Sequence, residues 1–125
     1  MILDTNALFA MADGDADLAP VMQGAAELAL PVIVLGEYRF GIRQSRYRAR
    51  YEKWLTGIID ACRVLAIERQ TAEHYAEVRD EWKRKGTAIP MNDFWIAALV
   101  RQHALSLLSR DAHFDAVPKL KRIGW

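Results

Sequence analysis

Met1-Ile2-Leu3-Asp4-Thr5-Asn6-Ala7-Leu8-Phe9-Ala10-Met11-Ala12 sets three apolar residues, a polar turn and a helix-forming run end to end. It predicts a short buried strand over residues 1–3 that turns at Asp4-Thr5-Asn6 into a helix over 7–12. A strand that feeds straight into a helix is the repeating unit of an α/β fold. Downstream the alternation continues. Asp13-Gly14-Asp15 reads as a turn, and Asp15 or Asp17 as the cap of a helix that runs to about Leu30, where Pro31 stops it. Residues 31–34 make a second β-rich run, followed by a helix that carries Glu37, Tyr38 and Phe40.

Ser45 can cap the next helix, in which Tyr47, Tyr51, Trp54, Leu55, Ile58 and Ile59 form an amphipathic stripe. Residues 63–67 are strand-like, and Thr71 opens a helix through Tyr75, Val78 and Trp82 that Gly86 ends. Pro90-Met91-Asn92 leads into a strongly apolar helix over about 93–103. Residues 105–109 then read as a strand, 112–114 as a short helix and 120–123 as a last strand. Strands that alternate with helices predict an α/β sandwich with a largely parallel central sheet. Ligands of such sheets bind beyond the carboxyl ends of the strands, at a topological switch point.

A chain of 125 residues suits one domain, residues 1–125, and no repeat or Gly/Ser linker divides it. An apolar content of 52% with 26% charged residues excludes a disordered tail. No apolar run approaches the ~20 residues that span a bilayer. No basic residue precedes Arg39, which argues against a secretory leader, and the lone Cys62 rules out an internal disulfide. A cytoplasmic protein without a membrane anchor is expected. Cys62, among Ile59, Val64 and Leu65, reads as a packed thiol and not a nucleophile.

Charge is unevenly placed although the net value is only +1. Residues 1–38 hold Asp4, Asp13, Asp15, Asp17, Glu27 and Glu37 without a single Lys or Arg; all 17 basic residues lie beyond them. An acidic pocket on a basic body suits a metal site facing a polyanion, and scatter in a short chain produces the same asymmetry.

Four acids stand where apolar segments end: Asp4, Glu37, Asp93 and Asp111. Lone carboxylates flanked by core residues are costly to desolvate without a positive partner. Two carboxylates ~4 Å apart repel by about 4 kcal/mol at an effective dielectric near 20. A site that gathers all four must therefore hold protons or bind metal. Oxygen ligands, with no paired Cys or His spacing at His74, His103 or His113, point to Mg²⁺ or Mn²⁺. Such a site can activate water for displacement at phosphorus.

Leu3-Asp4-Thr5-Asn6, Val34-Leu35-Gly36-Glu37, Asn92-Asp93-Phe94-Trp95-Ile96-Ala97-Ala98 and Leu108-Ser109-Arg110-Asp111-Ala112-His113-Phe114 follow one another in this order. Together they resemble the PIN-domain nucleases, and within them the VapC-type toxins of type II toxin–antitoxin pairs. The resemblance spans nearly the whole chain and implies a PIN-like α/β/α sandwich. It implies an Mg²⁺- or Mn²⁺-dependent endoribonuclease held inactive by a small antitoxin protein, with a homodimer expected. Asp4, Asp93 and Asp111 would then hold metal, and Glu37 would bind metal or orient the attacking water. Thr5, Asn6 and Ser109 would fix the carboxylates, with Asp115 an outer acid. Ser109 keeps a hydroxyl where many relatives have Thr.

The basic residues Arg39, Arg43, Arg46, Arg48, Arg50 and Lys53 interleave with Tyr38, Phe40, Tyr47 and Tyr51. They read equally as a nucleic-acid surface, with Arg39, Arg43 and Arg46 on RNA, or as a solvated helical face. Arg79, Lys83, Arg84 and Lys85 form a second cluster before Asp93, in which Lys83 and Lys85 are candidate RNA contacts. By resemblance, Tyr47, Tyr51 and Trp54 are candidates for an antitoxin groove. His113 reads as structural or solvated, with a phosphate contact as the rival, and Phe94 and Trp95 as core. The other classes considered are a non-catalytic PIN-like binding module, a stand-alone PIN nuclease and a phosphoacceptor receiver. A receiver needs an acid at a middle-strand end and a late strand-end Lys, and residues 63–68 and 105–110 supply neither in a convincing place.

Overall fold

The computed structural model describes residues 1–86 and 88–125. Five parallel strands form the sheet: β1 (Ile2–Leu3), β2 (Leu28–Pro31), β3 (Cys62–Leu65), β4 (Leu107–Leu108) and β5 (Arg122–Ile123). Their order is β3-β2-β1-β4-β5. β1 sits in the middle, with Ile2 opposite both Ala29 and Leu107, and Leu3 opposite Leu108. These side chains are fully buried, as central strands of a parallel sheet require.

The chain winds outward from β1 through β2 to β3, then returns to the other side of β1 for β4 and β5. β1 and β4 thus flank the point where strand order reverses. The residues that leave their carboxyl ends, Asp4 and Ser109, face one crevice.

Two helix groups flank the sheet. α1 (Thr5–Ala12) packs with α3 (Val32–Ile42) and α4 (Arg48–Ile59), while α5 (Arg69–Lys83) packs along α6 (Met91–His103). The short α2 (Leu18–Met22) follows α1, and a 3-10 turn (Ala112–Ala116) follows β4. α3 buries Val34, Tyr38 and Ile42 at four-residue spacing, and its Tyr38 hydroxyl donates to the Tyr51 carbonyl at 3.0 Å. Burial pushes the Tyr38 hydroxyl up to about 12.

Several boundaries differ from the sequence expectation. The helix expected to reach Leu30 stops at Met22, because Gly24 turns the chain at φ +86°, and residues 28–31 become β2. The run Val32-Ile33-Val34, expected as strand, is the first turn of α3. β-branched residues favour strands only where a pleated partner exists, and here Leu28-Ala29-Leu30 occupy the slot between β1 and β3. Pro31 ends β2, where its missing N–H costs no ladder bond. Glu37 therefore sits in the second turn of α3 and not near a helix start.

At α5 the cap is Glu68, and Thr71 closes a capping box from the third helical position. Ser45 caps the turn before α4, accepting from Tyr47 N–H at 3.1 Å, while Tyr47 is the residue that precedes the helix.

Candidate active site

Asp4 leaves β1 and caps α1, its Oδ1 accepting from Thr5 N–H at 2.8 Å. Its Oδ2 accepts from the Ser109 hydroxyl at 2.5 Å and from the Asn6 amide at 3.3 Å. The same Asn6 Nδ2 donates to Asp111 Oδ2 at 3.2 Å, while Asn6 Oδ1 accepts from Arg110 N–H at 3.2 Å. That backbone donor fixes the amide so its NH₂ group bridges the two carboxylates. Thr5 donates its hydroxyl to Glu37 Oε1 at 2.9 Å and so ties α1 to α3. On the opposite wall, Asp93 in the first turn of α6 meets His113 Nε2 at 2.7 Å.

Asp4, Thr5, Asn6, Phe9, Glu37, Pro90, Asp93, Asp111 and His113 line one open cavity of about 630 Å³. The four acids come from four separate elements, so only the fold brings them together. Asp4 and Asp93 are buried, 3% and 8% exposed, which decides the electrostatics of the cavity. Burial raises the Asp4 carboxyl above its ordinary value, and the Asp111 charge adds to this against the Ser109 and Thr5 hydrogen bonds. Burial, then the Asp4 charge, raises Asp93 to about 6, opposed by His113. The pocket thus holds carboxylates whose charge is not fully compensated by the protein.

Asp93, Asp111 and His113 each offer one ligand atom within 4.8 Å of the others, and this cluster can coordinate a divalent cation. The set differs from the expected metal holders: His113 joins it, and Asp4 stands beside it with both oxygens already accepting hydrogen bonds. In the sequence His113 reads as structural or solvated, with a phosphate contact as the rival, because a single histidine two residues after an acid has no recognised ligand spacing. The short helix expected over 112–114 is a 3-10 turn that brings positions 111 and 113 toward α6, a direction no local pattern gives.

Other expected site residues lie elsewhere. Asp115 is outside the cavity and pairs with Arg122 at 2.8 Å; Arg122 also reaches the Ser109 carbonyl at 3.0 Å. Arg39, Arg43, Arg46, Lys83 and Lys85 do not line the acid cavity. Arg43 borders a separate hollow with Phe40, Gln44 and Arg48, and Arg46 donates to the Tyr47 hydroxyl at 2.8 Å. Lys83 lines a hollow beside the start of α6, and Lys85 donates to the Ala116 carbonyl.

The expected aromatic stripe divides. Tyr51 packs between Phe9 and Tyr38 and donates to Asp13 at 2.6 Å, while Tyr47 is exposed under Arg46 and Arg50. Trp54 alone of the three faces a second groove of about 380 Å³, with Met11, Leu18, Ala19, Met22 and Ile58, and Asp15 at its polar edge. Trp95 stacks on Tyr75 at 4.0 Å, and Phe94 is buried. Burial raises the Cys62 thiol, which fits packing and not reactivity.

A parallel α/β sheet with an acid-lined crevice at its switch point defines a class of metal-site proteins. Within that class the chain belongs to the PIN domain family, whose model matches residues 1–120. It is 28% identical over 99 residues to Ribonuclease VapC4 of Mycobacterium tuberculosis, covering 78% of this chain and 76% of that one. Its structure resembles VapBC2 from Rickettsia felis bound to a promoter DNA fragment, with TM-score 0.87, 22% identity and 99% and 97% coverage. It also resembles VapBC-5 from Mycobacterium tuberculosis, of the VapBC family of toxin–antitoxin systems, with TM-score 0.79, 25% identity and 99% and 97% coverage.

Proposed function

We propose that residues 1–125 act as one PIN domain that hydrolyses RNA phosphodiester bonds with Mg²⁺ or Mn²⁺, as the toxin of a type II toxin–antitoxin pair. The observation that carries this reading is the single cavity shared by Asp4, Glu37, Asp93, Asp111 and His113. Uncompensated buried carboxylates fit a divalent cation, and the carboxylate majority supports Mg²⁺ or Mn²⁺. A cation held there supplies Lewis acidity toward a phosphoryl oxygen and lowers the pKa of a water molecule.

The protein's own groups do the rest. Asn6 keeps Asp4 and Asp111 facing one another, and Ser109 fixes Asp4 from the β4 side. Asp93 and Asp111 would hold the cation, and binding by His113 as well would replace the His113–Asp93 hydrogen bond. Glu37, oriented by Thr5, accepts a proton from the attacking water or completes the ligand set. An acid cavity on a chain whose basic residues lie beyond position 38 suits a polyanionic substrate.

The Trp54 groove supports a small antitoxin partner: an apolar trough of this size takes an amphipathic peptide segment. The toxin–antitoxin description of VapBC-5 supports the same role. Exposed Val32, Phe40 and Met91, on α3 and at the start of α6, support a homodimer. Among the described residues no helix is long and apolar enough to cross a membrane, and a cytoplasmic site of action is proposed with the toxin role.

The test is cleavage of RNA by the purified chain. Activity should require Mg²⁺ or Mn²⁺, stop with chelator and vanish in Asp4→Asn and Asp93→Asn. Metal-independent cleavage that survives both substitutions would rule the reading out.

A further inference from the structure

The segment that presents Asp111 is tied to the fold from two sides. On the β5 side, Ser109 N–H donates to the Ile123 carbonyl at 3.0 Å and the Ser109 carbonyl accepts from Arg122 at 3.0 Å. On the α1 side, Arg110 reaches away from the cavity and places its guanidinium on Asp15 Oδ2 at 2.5 Å. The guanidinium also lies 4.4 Å from the centre of the Trp125 ring. The Trp125 indole N–H donates to that same Asp15 oxygen at 3.2 Å, and Asp15 Oδ1 accepts from Asp17 N–H at 3.0 Å. These donors hold the Asp15 carboxyl below its ordinary value, the Asp17 N–H first and the indole second.

Asp15 itself is anchored, its N–H donating to the Ala10 carbonyl in the last turn of α1 at 3.0 Å. Helix α1 therefore grips the Arg110 segment at both ends, through Asn6 at its start and Asp15 just beyond its end. The Arg110 N–H, by donating to Asn6 Oδ1, also aims the Asn6 amide at Asp4 and Asp111. A drift of the Arg110 backbone would turn that amide and release Asp111, whose carboxylate is otherwise exposed.

We propose that Asp15, supported by Trp125, is a positioning residue for the acid site, acting through Arg110 on Asn6 and Asp111. The inference rests on reading the cavity as a metal-dependent active site. The Asp15–Arg110 pair is partly exposed, 23% at the Asp15 side chain and 52% at Arg110, and such a pair adds little to global stability. A purely structural role therefore predicts a small change in the unfolding midpoint and none in metal affinity. Loss of groups that orient metal-binding side chains instead costs ~10–100-fold in metal affinity or activity.

The experiment compares wild type, Asp15→Ala, Asp15→Asn and Trp125→Phe by Mn²⁺ binding, measured by electron paramagnetic resonance, and by steady-state RNA cleavage. Asp15→Ala should weaken Mn²⁺ and lower kcat by about 10-fold each, with KM for RNA within about twofold and the unfolding midpoint nearly unchanged. Asp15→Asn, which keeps one acceptor for Arg110, and Trp125→Phe, which keeps the ring, should both fall between that variant and wild type. Wild-type Mn²⁺ affinity and kcat in Asp15→Ala would overturn the proposal. So would a change confined to KM, which would put Arg110 on the RNA instead. Should Asp15→Ala not fold, Asp15→Asn and Trp125→Phe decide by the same readouts. Wild type that binds Mn²⁺ yet cuts no RNA would sink the nuclease reading, while the Mn²⁺ shift would still judge the positioning role.

Discussion

The acid cavity and the Trp54 groove sit on opposite ledgers of solvation. In the cavity, Asp4 and Asp93 carry charge into a buried place, and burial raises both carboxyls. In the groove, Met11, Leu18, Met22, Trp54 and Ile58 leave apolar surface open to water. Each region is unfavourable alone, and each would be relieved by an occupant of the opposite kind: a cation in one, an apolar segment in the other. Sites can thus be found by asking what a folded chain leaves uncompensated.

The comparison breaks first at the cavity. Asp93→Asn keeps the shape and removes the charge, so kcat for RNA cleavage should fall about 10³-fold, with Trp54-groove binding unchanged. Steady-state kinetics beside a partner titration would show whether the two regions are separable; a joint loss would mean they are not. The reciprocal substitution, Trp54→Ala, removes a central aromatic anchor. It should weaken antitoxin binding by about 30-fold or more while cleavage stays at wild-type rate, as calorimetry and a cleavage assay would report.

A smaller effect concerns pH. The Asp93 carboxyl is raised to about 6 in the fold, against 3.8 without it. Stability from this group is fully present below the unfolded value and is lost as pH rises through about 6. The metal-free protein should therefore gain about 1–2 kcal/mol, relative to Asp93→Asn, as pH drops from 7 to 4. Denaturant melts in chelator would measure it, and parallel pH profiles for the two proteins would refute it. Mg²⁺ or Mn²⁺ at neutral pH should raise the wild-type midpoint and leave Asp93→Asn nearly unmoved. Smallest is Thr5→Val, which removes the hydroxyl that holds Glu37 and should lower kcat about 10-fold without touching the groove.

Reading the residues in order reached most of the architecture. The strand-turn-helix signal at residues 1–12, the apolar helix after Pro90 and the alternation between them are local patterns, and the parallel sheet follows from them. Residues 23–34 depart from the expectation because their local signals compete. Ala25-Ala26-Glu27-Leu28-Ala29-Leu30 has helical preference and Val32-Ile33-Val34 has strand preference, yet the sheet slot beside β1 reverses both.

At the site, Asp4, Glu37, Asp93 and Asp111 drew notice because lone acids in apolar context are costly, a property visible in sequence. For His113 the sequence carries no cue to the acid cluster, because its place depends on a 2.7 Å approach to Asp93 of a distant helix. Asp115, two residues from His113, turns outward to Arg122 for the same reason: a 3-10 turn changes the direction of each successive side chain.

By itself, then, the sequence determined which residues carry charge into apolar surroundings, and so that a site gathering them must hold protons or a cation. Periodicity and turn chemistry act over a few residues, and they sufficed for the α/β class. Tertiary structure alone decided which acids share a wall, that His113 joins them, that Trp54 and not Tyr51 faces the groove, and that Asp15 reaches Arg110. These depend on distances between segments up to a hundred residues apart, and no local preference encodes such distances. They are set where strands of the sheet converge and helix packing fixes the remaining freedom.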